Sequence, residues 1–412
     1  MSASGGLGAP LPSAKPSRIV GLDGIRGLAA LYVVLYHIFL RSWPGGAAAD
    51  APFWAVWLDS GRTAVIVFIT LSGFSLAIGP ARSGWRFPSI AEYARRRAWR
   101  ILPPYWAALG FSLVMVWFVL AQPGWAVPDG KSVVVYGLLV QDAVATGSPN
   151  RAFWSIAIEA QLYILLPLLL LIVRRFSAVA MVAIVAAIVV TIGLLAPHVT
   201  WANDALVMFT PDLAVLFAVG VLAAGIVTAS ERVRSRPWGW YAIVAAVLVV
   251  ALVLIMVPAW ANANLFWVDL ASAPAIGFML AAVATSQTRT AAIRFLDARP
   301  LRSLGSFSYS LYLTHLPIVI AVSYSLVLPR VPSGAPTFFV LVAILVPATI
   351  VFARLFAAVF ELPFQRHRSW ASLMPVITRR PPSVSDREKP PTNVTTRDAA
   401  EIGNESGTRL PR

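Results

Sequence analysis

IVGLDGIRGLAALYVVLYHIFL, residues 19–40, is the stretch on which the reading of this chain turns. It is apolar for about the 20 residues that carry a helix across a bilayer, yet it contains Asp23, Arg26 and His37. An ionisable group at bilayer depth costs about 2.5–3.5 kcal/mol, so its presence points first to function. Arg26 and His37 stand eleven residues apart, which is about three helical turns and a rise of roughly 16 Å. They therefore share one face, Arg26 toward the start of the helix and His37 toward its end. Asp23 lies three residues before Arg26, so an ion pair in a buried packing stripe is the plainer alternative.

Outward from this stretch the chain repeats its apolar character. Of 412 residues 58% are hydrophobic and 12% charged, and the mean hydropathy is +0.75. Soluble domains do not have that balance. Further spans are expected at 63–79, 104–121, 154–173, 178–196, 212–229, 240–257, 270–287, 307–328 and 337–360. The expected fold is all-α, a polytopic membrane bundle of about 10 transmembrane helices.

The net charge of +15 would suit a nucleic-acid binder, but its distribution does not. Arg82, Arg86, Arg95, Arg96, Arg97 and Arg100 sit between spans two and three. Arg174 and Arg175 follow span four, Arg232, Arg234 and Arg236 follow span six, and Arg289, Arg294, Arg299 and Arg302 follow span eight. The intervening connections are poorer in basic residues, with Arg41 and Arg62, Lys131 and Arg151, none between Pro258 and Asp269, and Arg330. This is the positive-inside pattern, which puts both termini in the cytoplasm of a multi-pass protein of the cell membrane and makes lipid, not nucleic acid, the partner. Trp43, Trp54, Trp57, Trp125 and Trp201 fall in the opposite connections and suggest an interfacial belt. Residues 1–17 read as a disordered tail without a compact signal-peptide layout, 18–374 as the membrane domain, and 375–412 as a disordered cytoplasmic tail. There is no Cys, which removes disulfides and thiolate ligands, and the four His lack ligand spacing, so no metal is expected.

Orientation gives the polar residues a depth. Span four runs inward from Trp154, so Glu159 is expected one to two turns below the same outer surface as His37. A carboxylate beside a histidine orients the ring and stabilises its protonated form, which suits a general base. The alternative is that each pairs with another neighbour. The run Arg95 to Arg100 stands on the cytoplasmic side, where guanidinium forks hold phosphates, though anionic lipid heads would be bound equally well. Ser308, Tyr312 and His315 fall at i, i+4 and i+7 on one face of span nine, as packing groups or as the lining of a path. Ser72 and Gly73 read as a close-packing site of small residues.

Taken in order, these blocks resemble the acyltransferase 3 family of integral-membrane O-acyltransferases. Residues 21–30, GLDGIRGLAA, with Tyr36 and His37 look like its opening signature, an Arg and a His with ten residues between. Residues 68–74, FITLSGF, resemble its second-helix motif, and 97–103, RAWRILP, its Arg-x-x-Arg motif. Residues 153–163, FWSIAIEAQLY, are similar to its Trp-Ser-x-x-x-Glu-x-Gln-x-Tyr block, which ends at Tyr163. Residues 304–315, LGSFSYSLYLTH, and 361–363, ELP, resemble its two closing blocks. The resemblance covers about 18–366.

The resemblance implies transfer of an acyl group, acetyl being the expected one, from cytoplasmic acyl-CoA to a hydroxyl of a carbohydrate or glycosylated product. Arg97 and Arg100, with Arg26 deeper, would hold the donor. His37 would act as general base or as transient acyl carrier, and Glu159 would orient it. Asp23, Ser72, Tyr163, Tyr312 and His315 would line the path or support it. Ala160 replaces a second Glu common in the family, and no esterase-like domain follows the last span, so acceptor selection is expected from the membrane core. Two rivals stand beside this: a transporter or flippase using Arg26, His37, Glu159 and His315 as its path, and a lipid-binding scaffold.

Overall fold

The computed structural model describes residues 19–44, 51–87, 89–120, 127–256 and 258–366. The readings of the two tails and of Trp125 fall outside them. Among the described residues the backbone is helical with no strand, and nine helices are long and apolar enough to cross a membrane. They are α1 (Leu22–Ser42), α2 (Arg62–Arg82), α3 (Ile90–Val119), α4 (Trp154–Arg175) and α5 (Ala178–Leu195), followed after a broken crossing by four more. The broken crossing is α6 (Thr200–Phe209) and α7 (Asp212–Val227), which meet at 57°. Thr210 turns at φ 38°, and Pro211 has no N–H with which to continue the ladder. The last four are α8 (Trp238–Met256), α9 (Leu265–Thr285), α10 (Ser308–Val327) and α11 (Ala335–Phe360). Counting the bent pair as one gives ten crossings, the expected number.

Between helices in lipid there is no hydrophobic gain from contact, so close packing must hold them. The crossing of α2 and α7 shows how. Gly73 faces the carbonyl of Phe217, and Gly220 faces that of Thr70, with no room for a Cβ on either side. The opening signature is held the same way. Gly24 abuts the Leu296 carbonyl, and Gly305, in the short helix Arg299–Ser306, abuts that of Asp23. At the far edge, α8 buries only Trp238 among its residues. Trp43 is buried against Phe338 and Trp54, so it packs in the bundle, whereas Trp57 and Trp201 are exposed.

The segment before α4 folds into the bundle instead of resting on its surface. Asn150 Nδ2 donates to the Leu313 carbonyl of α10 at 3.0 Å, and its side-chain oxygen accepts from the Ala152 N–H at 3.0 Å. The Ala152 carbonyl accepts from the Tyr312 hydroxyl at 3.0 Å. Ala152 and Phe153 are buried. Irregular backbone is tolerated at membrane depth when protein satisfies it like this. Helix α4 therefore starts with its preceding turn packed against Leu313 of α10.

Candidate active site

A cavity of about 330 Å³ opens between α1, α2, α3, α4 and α10. Arg26, Arg97 and Arg100 line it together with Glu159, Tyr163 and Tyr312. With Glu361 of the closing block, four of the six sequence blocks thus send an arginine or a carboxylate into one space. Arg26 donates to Asp23 Oδ1 at 3.2 Å and to Ser75 Oγ at 2.7 Å. Arg97 is half-buried, and its Nε has no hydrogen-bond partner among the described residues. A buried guanidinium N–H without an acceptor is an anion-binding donor in waiting. Arg100 is exposed at the edge of the same cavity.

The carboxylates there are already engaged. Glu159 accepts from the Tyr163 hydroxyl, and that hydroxyl lies 2.9 Å from Ser72 Oγ. The Tyr93 hydroxyl donates to the Tyr163 carbonyl at 3.0 Å, tying α3 to α4. Glu361, in the closing block, accepts from the Ser310 N–H at 3.1 Å and its hydroxyl at 2.5 Å, and from Gln365 at 2.8 Å. Ser72, expected to pack closely or to line the path, lines the cavity as a polar partner of Tyr163.

Phe68, Ser155 and Tyr312 also line the cavity. The hydroxyls of Ser155 and Tyr312 are 2.6 Å apart. Just beyond, the His315 ring stands 5.9 Å from that of Tyr312 and 5.1 Å from that of His37. His315 is fully buried and His37 half-buried. His37 is not in the cavity wall.

The expected pairing of His37 with Glu159 takes a different form. The ring neighbours of His37 are Tyr36, at 4.8 Å, and His315. Glu159 lies on the Arg26 side, because the inward fold of residues 150–153 starts α4 at the level of Leu313. No local pattern in the sequence announces that fold.

A further cluster was not anticipated. Arg62, at the start of α2, donates from Nε to Asp269 and from a terminal nitrogen to Asp212 at 2.7 Å. Its guanidinium lies 5.2 Å from the centre of the Trp154 ring. Each of these charged residues stands at the end of a span, where a charge ordinarily meets water. The available signal was that Asp212 and Asp269 begin apolar runs with no basic neighbour in sequence.

A multi-pass helical bundle with an arginine-lined cavity leading toward a pair of buried rings is the setting in which the comparisons belong. Residues 19–357 match the acyltransferase domain of the acyltransferase 3 family, and the chain belongs to that family. Two similar proteins are the O-acetyltransferase OatA of Staphylococcus aureus (strain NCTC 8325 / PS 47) and the peptidoglycan O-acetyltransferase OatA of Listeria monocytogenes. The first is 24% identical over 349 residues, covering 77% of this chain and 53% of the relative. The second is 23% identical over 381 residues, covering 85% and 56%. The chain spans about half the length of these curated relatives. No solved structure matches it.

Proposed function

We propose that this protein is an O-acyltransferase of the cell membrane that takes an acetyl group from acetyl-CoA and places it on a hydroxyl of a cell-surface carbohydrate. The observation that carries the reading is the Arg26, Arg97 and Arg100 cavity, whose wall residue Tyr312 stands beside His315, itself the ring neighbour of His37. Phosphates suit the arginines, where the Arg97 Nε lacks an acceptor, and a thioester arm suits the less charged wall at Phe68 and Tyr312. The names of the relatives, which concern O-acetylation and peptidoglycan, support the acetyl group and a carbohydrate acceptor.

In this reading Arg97 and Arg100 face the cytoplasm. His37 faces the outer side and acts as general base. Its ring takes the proton of the acceptor hydroxyl as the oxygen attacks the thioester carbonyl. The carbon–sulfur bond then breaks, and the thiolate leaves with the proton that His37 held. Glu159 does not orient His37; with Tyr163 it shapes the cavity beside Arg26. His37→Ala in the purified full chain should abolish thiol release from acetyl-CoA while the protein still folds, since losing a polar group does not disfavour insertion. Near-normal turnover by that variant would remove the mechanism.

Orientation has its own test. Ser333 and Ser230 are exposed at opposite ends of the bundle, and the chain has no Cys. Ser333→Cys should react with an impermeant thiol reagent outside intact cells, and Ser230→Cys only after the membrane is opened. The reverse pattern would turn the donor site outward and sink the reading.

A further inference from the structure

His315 has a fixed tautomer. Its Nδ1 stands 2.8 Å from the Tyr312 carbonyl and 3.2 Å from the Leu311 carbonyl. A ring nitrogen facing two carbonyl oxygens must carry the hydrogen, because a lone pair there would meet only lone pairs. In the neutral ring Nε2 is then an acceptor. That atom is fully buried and has no hydrogen-bond partner among the described residues. Buried polar atoms are nearly always paired, so an unpaired one calls for a reason.

The ring nearest to it on another helix is that of His37, 5.1 Å away centre to centre and tilted by 38°. At that separation a small ring rotation brings two imidazole nitrogens within hydrogen-bond range. His315 cannot swing away, because its own helix holds Nδ1 and the neighbouring Tyr312 hydroxyl is tied to Ala152. His37 is half-buried.

We infer that His315 is a positioning residue for His37: Nε2 of His315 accepts a ring N–H of His37, so that the other His37 nitrogen presents its lone pair to the acceptor hydroxyl. This rests on the reading of His37 as base. His315 neither gains nor loses a proton in the cycle; it holds one N–H of His37 throughout, while the opposite nitrogen takes the hydroxyl proton and returns it to the departing thiolate. In many enzymes a carboxylate does this work. A neutral imidazole does it here without burying a further charge in the membrane.

Two substitutions separate this role from packing. His315→Asn keeps a donor near the Nδ1 position and loses the Nε2 acceptor. His315→Gln puts an amide oxygen near the Nε2 position. With acetyl-CoA as donor and water as the probe acceptor, turnover followed as free thiol should fall about 100-fold in His315→Asn, with KM for acetyl-CoA within about twofold of the parent. His315→Gln should recover about 10-fold of that loss. A packing role predicts the opposite order, since Asn preserves the bond that His315 makes to its own helix.

A second measurement does not need turnover. The chain has only four His, so the nitrogen spectrum of ¹⁵N-histidine protein is assignable by substitution. His315 should show a protonated Nδ1 and a bare Nε2, and the His37 signals should move in His315→Asn. Parent-like turnover of His315→Asn with His37→Ala inactive would overturn this inference alone, as would His37 signals indifferent to the change. An active His37→Ala would instead overturn the base reading on which it stands.

Discussion

Arg62 and Arg97 are both arginines set against a membrane bundle, and they are solved in opposite ways. Arg62 meets two carboxylates, Asp212 and Asp269, and the face of Trp154. Its hydrogen bonds go inward to α7 and α9 and its face lies over Trp154 of α4, and the side chains of both acids are almost fully buried. Arg97 stands in an open cavity with Nε unmatched, while the carboxylates around it are held by Tyr163, Ser310 and Gln365. The lesson is that a buried cation reads as structural or functional by what its neighbours have left over, not by its depth. Arg62 has its charge matched by two carboxylates; Arg97 has no ion-pair partner among the described residues and an unmatched Nε.

Removing Arg62 should have the largest effect. Arg62→Ala leaves two carboxylates buried without their cation, a loss of about 3–5 kcal/mol. The expected outcome is collapse of the folded fraction in detergent size-exclusion profiles and a lower melting temperature. Adding Asp212→Asn and Asp269→Asn should restore part of it. A variant that folded normally but bound the donor poorly would place Arg62 in the same class as Arg97 and dissolve the contrast.

Arg97→Ala should leave the fold intact and raise KM for acetyl-CoA by about 10- to 100-fold, the range for one charge-assisted hydrogen bond. Arg97→Lys should restore only part, because an ammonium lacks the planar fork. Equal KM in all three forms would make Arg97 a topological charge. Smaller still is Tyr163→Phe. It withdraws one hydroxyl from Glu159 and Ser72, and turnover should fall about 10-fold with unchanged melting. A large fall in melting temperature would move Tyr163 to the side of Arg62.

Much of the bundle was legible because hydropathy is local. The stretch 63–79 became Arg62–Arg82, and 337–360 became Ala335–Phe360. The bend at Thr210 and Pro211 left only the second half of that crossing, from Asp212, visible as a span. The convergence of Arg26, Arg97 and Arg100 rested on the order of the motifs and the sign of the loops. The inward fold before α4 was not legible, since it depends on Asn150 reaching Leu313, a contact 163 residues away in sequence. Ser72 read as a spacer because its partner is a tyrosine on another helix. The Arg62 cluster stayed hidden because its three members lie at three span ends that nothing in the sequence brings together.

The knot of Ser155, Tyr312 and the Ala152 carbonyl also has an electrical meaning. A wall of protein between an inner cavity and an outer ring pair is where most of the voltage across a membrane would drop, and each elementary charge moved through it costs about 2.3 kcal/mol per 100 mV. A coenzyme bearing several phosphates would have to do that work several times over; an acetyl group, being neutral, does none. Under the proposed function the knot would act as an insulator, passed only by uncharged cargo. Acetylation through it would run at the same rate in energised and depolarised membranes, without a leak of ions to accompany it.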